Sequence, residues 1–553
     1  MKELKNKLQL LRQVFSGIFS QETSPLSLCL SFLSIIVLRV FEEKFLAFST
    51  SPWEDIWIEF MHNLFFFSIT LLLIGLILSW FLRKKPAEIV PWLTWASLLI
   101  LLPPLFDMAK TGGNVFWSFY LLNDIRSLGW QFVTIFGHLP SGIMYFGSKI
   151  TFLLAVFLVA AVIYGQTKNR WKAFFGALAT YTMLFFMGSF PSWFVMVSYL
   201  LQGKSLGEVN AVKVFQFFGS PAPIWALTGA TFKYAFAYQL GFVFYLLLVF
   251  LVGWVFFLNN RKKFWAVVKN ARFPQLVYHM GLLGVGLGLG WWIYPHNWHV
   301  NLFSLLAVGI IAVSVVLAWL ASVVVNDLYD YRIDLISNSY RPLQQKIFTV
   351  EEYRQSGIIL FILSLIGGLT INMTCTAILL VYQLLAWFYS APPYRLKKFP
   401  LIATFFSALA SMVVLFLGFI LFSGAENLHL FPWRISFMLL VGLTLSLPIK
   451  DFRDIDGDKS DGVLTIPVLL GQDLGRLVVG GGIFVSFVLS VFFLNEMRLF
   501  WWAILCGGTA FWLMNSPDWR KKIQDKDLVW WILGVAIIYT LILGNVLFNG
   551  GVK

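Results

Sequence analysis

Charge is what this sequence has least of. Of its 553 residues only 12% are Asp, Glu, Lys or Arg, against 59% hydrophobic, and so little charge cannot cover a water-soluble surface. Cysteine is nearly absent as well. Cys29, Cys375 and Cys506 stand singly in apolar stretches, which excludes a disulfide framework or a Cys-ligated metal centre and leaves them as packing residues. Acidic residues number 27 against 41 Lys and Arg, a net charge of +14. The basic residues fall in short clusters between apolar runs, as in cytoplasmic loops of membrane proteins, so no nucleic-acid partner is expected. The basic, amphipathic start MKELKNKLQLLRQVF has no short apolar region ending in a small-residue cleavage site and is not read as a signal peptide.

In place of charge there are long apolar runs. They are continuous rather than alternating and long enough to cross roughly 30 Å of hydrocarbon, which predicts membrane-spanning helices and not a barrel. The expected fold is an all-α, polytopic transmembrane helical bundle of about 15 spans, six in the first half and nine in the second. The first six lie near 25–41, 57–82, 90–106, 143–164, 172–188 and 236–258. The other nine lie near 276–293, 302–325, 355–372, 374–390, 401–422, 432–449, 474–494, 499–514 and 528–547. Basic clusters mark every second connection, which predicts a cytoplasmic N-terminus. The basic stretch NNRKKFWAVVKNARFP suggests a boundary: an N-terminal transmembrane domain over 1–258, a cytoplasmic linker over 259–275 and a second domain over 276–553.

The scarce acids are not evenly spread. Eight of the 27 lie in 327–334 and 451–461, each at the end of an apolar run. Asp327, Asp330 and Asp334 repeat the i, i+3, i+7 spacing of Asp451, Asp454 and Asp458, which on a helix presents each triplet to a common point. Both runs end on the same predicted side of the membrane, the cytoplasmic one, and can face one cavity. Like charges so placed repel and lose hydration, and a divalent cation resolves both costs. Oxygen-only ligands select a hard ion, and Mg2+ takes one or two carboxylates plus phosphate oxygens and water, so a phosphorylated substrate is expected. Arg332, Arg341, Arg395, Lys397, Lys398, Lys450 and Arg453 lie on the same predicted side and can neutralise diphosphate oxygens.

NDLYDYRID and KDFRDIDGD resemble the NDxxDxxxD and DxxDxxxD motifs of the UbiA superfamily of intramembrane prenyltransferases, over about residues 276–547. RPL at 341–343, YSAPPYRLKK at 389–398 and GVLTIPVLLG at 462–471 extend the likeness. The resemblance implies a catalytic, Mg2+-binding set of Asn326, Asp327, Asp330 and Asp334 for one ion and Asp451, Asp454 and Asp458 for the other. It implies a prenyl diphosphate substrate held by Asn326, Arg341, Tyr389, Arg395, Lys397 and Lys450. Ionisation of that diphosphate would leave an allylic cation for a hydrophobic or amphipathic acceptor to attack. Tyr329, Tyr331, Tyr340 and Tyr389 are near enough in sequence to stabilise such a cation, although packing is the commoner role of tyrosine. LQQK stands where the family often has a small pair after RP, a departure that bears on acceptor geometry. Lys450 before the second motif and Gly457 inside it resemble the branch that includes geranylgeranylglyceryl phosphate geranylgeranyltransferases and chlorophyll synthases. The expected protein is thus an integral protein of the inner or plasma membrane, among membrane lipids, with its active site cytoplasmic.

Other features carry less. Asp456 and Asp461 fall off the repeated spacing and read as solvated turn residues. His296 and His299 lack further ligands, so no metal is assigned to them. Glycines 281, 284, 286, 288 and 290 read as permitting close helix packing. Glu54 with Asp55, and Asn123, Asp124 and Arg126, are isolated polar groups in the first half, and the long connections 107–142 and 189–235 read as interfacial or re-entrant. Two other functions are compatible with the sequence: a transporter or lipid-binding protein with an acidic ion path, and a bifunctional enzyme with separate N-terminal chemistry.

Overall fold

The structure of the chain, a computed structural model, describes residues 24–46, 56–112, 120–137, 146–219, 235–297, 301–522 and 525–549. Glu54, Asp55 and His299 lie outside them. Among the described residues there are helices and no strands. Fourteen helices are long and apolar enough to cross a membrane, or 15 if the bent pair Arg170–Gly188 and Phe190–Leu201 is one span. The chain is an integral membrane protein with the expected all-helical fold.

Contacts divide the chain into two units, one of residues 1–221 with 228–261 and one of 222–227 with 262–553. The first holds five spans and the bent pair. Its core is aromatic, with Phe65, Phe66, Phe242, Phe244 and Tyr245 almost fully buried. The pair bends by 75° at Ser189, so the connection read as interfacial or re-entrant begins with a helix, Phe190–Leu201. Asp124 caps the helix Ile125–Val133 by accepting from the Arg126 and Ser127 N–H groups. That structural job accounts for it. Arg39 donates to Glu43 at 2.6 Å and to the Ile100 carbonyl at 2.7 Å.

The second unit holds nine spans. Side-chain caps start several of them: Asn301 for Leu302–Tyr329, Thr349 with Glu352 for Val350–Ile371, and Asn372 for Met373–Ser390. Phe273–Ile293 packs along Pro400–Ser423, and Leu302–Tyr329 along Val350–Ile371. The first pair crosses at Gly286 and Gly418, where added Cβ atoms would collide with the Leu415 and Leu283 carbonyls. Of the five glycines read as packing residues, Gly286 and Gly290 meet the facing helix; Gly281, Gly284 and Gly288 face open space. At 28 residues, Leu302–Tyr329 is about 42 Å long at about 1.5 Å per residue. That exceeds the roughly 30 Å hydrocarbon core, so the helix is long enough to span it with some tilt.

Candidate active site

Both acidic motifs sit where a long helix breaks and a short one follows. Leu302–Tyr329 ends at Asp330, and Tyr331–Ser337 carries Asp334. Trp433–Ser446 tightens into the 3-10 turn Leu447–Arg453 with Lys450 and Asp451; Asp454 follows, and Ile455–Ser460 carries Asp458. The two short helices pack together at Gly457, where a Cβ would collide with Ser337 Oγ and stand 2.8 Å from Ile333 Cγ2. Only glycine lets the second motif approach the first so closely.

Between the motifs lies a cavity of about 260 Å³ whose wall includes Asn326, Asp330, Asp334, Asp451, Asp454 and Asp458. Arg272, Arg341, Lys397, Lys450 and Arg453 share that wall. Lys397 pairs with Asp330, and Lys450 donates to Tyr389 Oη at 3.1 Å and Ser407 Oγ at 3.2 Å. Below the charged rim the wall turns to Tyr278, His279, Trp319, Tyr382 and apolar residues such as Leu385 and Ala410.

Asp327 is not on that wall. It is fully buried, and four donors saturate it: Arg272 Nη2 at 2.7 Å and Arg341 Nη1 at 3.0 Å on Oδ1, Asn270 Nδ2 at 2.6 Å and Tyr353 Oη at 2.8 Å on Oδ2. The expectation that each triplet points at one spot therefore does not describe the first, in which Asp327 turns away from Asp330 and Asp334, whereas Asp451, Asp454 and Asp458 of the second share the cavity wall. Each chain path breaks at its middle aspartate, and Asp327 turns toward its own cations. Among the described residues, no three acidic, imidazole or thiol groups converge closely enough to hold a metal ion by themselves.

The other assigned residues divide similarly. Arg395 is off the cavity wall; it pairs with Asp461 at 2.6 Å and reaches Asp330 at 3.4 Å. Asp461 is accordingly ion-paired rather than solvated, while Asp456 is exposed. Of the four tyrosines only Tyr389 lines the cavity; Tyr329, Tyr331 and Tyr340 are exposed. Tyr340 accepts from Arg453 Nη2 at 2.6 Å.

Sequence reasoning missed Arg272 and Asn270, which lie in the stretch read as a linker, and Tyr353. It also missed Asn338. The Asn338 amide donates to Asp334 at 3.1 Å and to Asp454 at 2.9 Å, and its carbonyl accepts from Arg453, so one side chain ties the two motifs together. A usable signal for Arg272 was its place as the last cation of the basic stretch read as a linker, directly at the head of the span that precedes the first motif. No sequence signal pointed to Asn338.

Burial pushes the Asp334 carboxyl up to about 6, with Arg341 opposing and Asp327 reinforcing the shift. Burial, reinforced by Asp451 and Asp454 and opposed by Lys397, pushes Asp458 up to about 8. Burial is what makes both carboxylates costly to ionise. The donor set fits Mg2+, which needs few protein carboxylates when diphosphate and water complete its shell.

The sign of the resulting pH dependence follows. Asp458 holds a proton in the fold that the unfolded chain has already lost, so its contribution to the stability of the metal-free protein falls as pH rises from the ordinary carboxylate range through about 8. Asp458→Asn should therefore melt higher than wild type in EDTA at pH 9, with a smaller gain at pH 6. Mg2+ should bind wild type more tightly at pH 9 than at pH 6, because it competes with that proton. Thermal melts and Mg2+ titrations at both pH values check this; an Asn variant that melts lower at pH 9 would refute it.

Residues 282–541 match the family model described as the UbiA prenyltransferase family. The digeranylgeranylglyceryl phosphate synthase of Methanobrevibacter smithii is 28% identical over 205 residues, 34% of this chain and 70% of that protein. The Methanocaldococcus jannaschii synthase of the same name is 29% identical over 150 residues, 27% of this chain and 50% of that protein. The chain thus spans between half and 70% of the length of these relatives. A solved UbiA homolog from Archaeoglobus fulgidus bound to GPP and Mg2+ is 20% identical, covering 49% of this chain and 96% of that one at a TM-score of 0.40. The N-terminal half has no match.

Proposed function

We propose that the C-terminal half of this chain, in which residues 282–541 match the UbiA prenyltransferase family model, is an Mg2+-dependent enzyme of that family. It moves a polyprenyl group, of geranylgeranyl type, from its diphosphate to a lipid-soluble or amphipathic acceptor. The observation that carries this reading is a cavity walled by five aspartates and five Arg or Lys residues at its rim and by aromatic and apolar groups below. A prenyl diphosphate has that same division into a charged head and an apolar tail.

Asn326, Asp330, Asp334, Asp451, Asp454 and Asp458 would hold Mg2+, which when bound supplies positive charge to the leaving diphosphate. Arg272, Arg341, Lys397 and Lys450 grip the remaining diphosphate oxygens as charge-assisted donors. Asp327 acts behind them, fixing the guanidinium groups of Arg272 and Arg341. The apolar lower wall keeps water from an allylic cation, and the Tyr389 ring, 4.7 Å from Lys450 Nζ, lies at the junction of head and tail.

The cavity opens to the cytoplasm of an inner or plasma membrane in this reading, as the distribution of basic loops supports. The same reading divides the chain into an N-terminal transmembrane domain over 1–258, a connecting stretch over 259–275 and the transferase over 276–553. The names of the two synthases support a glyceryl phosphate ether as the acceptor. Incubating the purified protein with geranylgeranyl diphosphate, Mg2+ and membrane lipid extract should release diphosphate and give a lipid heavier by one prenyl group in mass spectra. No diphosphate release from donors of any chain length would end the proposal.

A further inference from the structure

Prenylation of a hydroxyl group leaves one proton to be disposed of, and none of the groups described so far takes it. Deeper in the cavity wall stands a pair with no part in metal or diphosphate binding. His279 Nδ1 lies 2.6 Å from the Gln275 carbonyl. A carbonyl only accepts, so Nδ1 carries the hydrogen. Nε2 is then the free acceptor of the neutral ring, and the Tyr382 hydroxyl lies 3.1 Å from it. Both side chains are buried, and both line the cavity. The imidazole is held against the Trp319 ring, centroids 4.8 Å apart. Ser322 stands beside Tyr382 and is anchored to the Trp319 carbonyl at 2.7 Å.

The depth is right for the reacting carbon. Ser322 precedes Asn326 by one helical turn, about 6 Å at about 1.5 Å per residue, and Tyr382 precedes Tyr389 by two. The pair therefore sits one to two turns below the charged rim, where the first carbons of a prenyl chain fall once its diphosphate is held at the rim.

We infer that Tyr382 and His279 form a proton relay serving an acceptor hydroxyl group. The acceptor oxygen forms a bond to the allylic carbon while the carbon–oxygen bond to diphosphate breaks, its electron pair leaving with diphosphate. The acceptor proton passes to Tyr382 Oη as the Tyr382 proton passes to His279 Nε2, and the imidazolium stays anchored through Nδ1–H to Gln275. The relay rests on the prenyl-transfer reading and narrows its acceptor to a lipid alcohol.

The test uses full-length protein in lipid nanodiscs, with geranylgeranyl diphosphate, Mg2+ and a mono-ether glyceryl phosphate bearing one free hydroxyl group. Tyr382→Phe and His279→Gln should bind the donor as wild type does yet transfer it about 10²–10⁴-fold more slowly. The double variant should be little worse than either single one, as for groups acting as a unit. Blocking the acceptor hydroxyl as a methyl ether should abolish product with wild type. Transfer at wild-type rates by both single variants overturns the relay, as does loss of donor binding alongside transfer, which marks a structural role. Wild type that cleaves the donor but alkylates no hydroxyl overturns the relay alone. Wild type that neither binds nor cleaves the donor overturns the prenyl-transfer reading and the relay with it.

Discussion

Asp330→Asn should leave the protein folded and cut Mg2+-dependent diphosphate release at least about 100-fold, the scale of losing one strong electrostatic contact to a developing anion. Asp330 lies on the cavity wall, where it accepts from the Asn326 amide at 2.7 Å and pairs with Lys397. The substitution keeps the shape and removes the charge. Lys397 is then released from its partner, so diphosphate binding without metal should weaken less than turnover does. A Mg2+ titration of turnover separates the effects: the variant should need more Mg2+ and still fail to recover at saturation. Wild-type turnover at saturating Mg2+ would remove Asp330 from the metal-binding set.

Asp327→Ala should fail differently, by loss of stability of about 3–5 kcal/mol, because it breaks a buried ion pair and leaves charges behind. Arg341 loses one buried partner and keeps Asp334, while Arg272 loses its ion pair and keeps the Asn326 side-chain carbonyl, 2.8 Å away. Asn270 and Tyr353 lose their common acceptor as well. Added Mg2+ should not rescue this variant. Tyr353→Phe removes two hydrogen bonds, the one donated to Asp327 and the one accepted from Asn270 at 3.0 Å, and should cost about 1–3 kcal/mol. Denaturation in detergent with and without Mg2+ measures both; a melting curve for Asp327→Ala equal to that of Asp330→Asn would contradict the separation of roles.

The spans were legible in the sequence because bilayer thickness acts on each helix alone: a run must be long and apolar whatever its neighbours are. Their pattern of six and nine followed, and so did the two acidic clusters at helix ends, whose cost in a boundary region is local. Partner choice was not legible. Asp327 and Asp330 are three residues apart in one motif, yet one is sealed behind Arg272, Asn270 and Tyr353 and the other lines the cavity. Those three partners come from two segments on either side of it in the chain, and spacing along one helix says nothing about them. Which of Tyr329, Tyr331, Tyr340 and Tyr389 would line the cavity was not legible for the same reason, since nearness in sequence to a motif does not decide which side of a helix faces the cavity. Asn338 was invisible because its job depends on the contact of two short helices at Gly457, a purely tertiary event.

The central claim is that the two motifs and the cations between them form one metal-dependent diphosphate site. Calorimetric titration of the full-length protein with geranylgeranyl diphosphate, once in Mg2+ and once in EDTA, tests it most directly. Saturable binding in Mg2+ that weakens severely in EDTA, and that Asp330→Asn with Asp454→Asn abolishes, is the predicted result. Equal binding in the two buffers, or none in either, would contradict it.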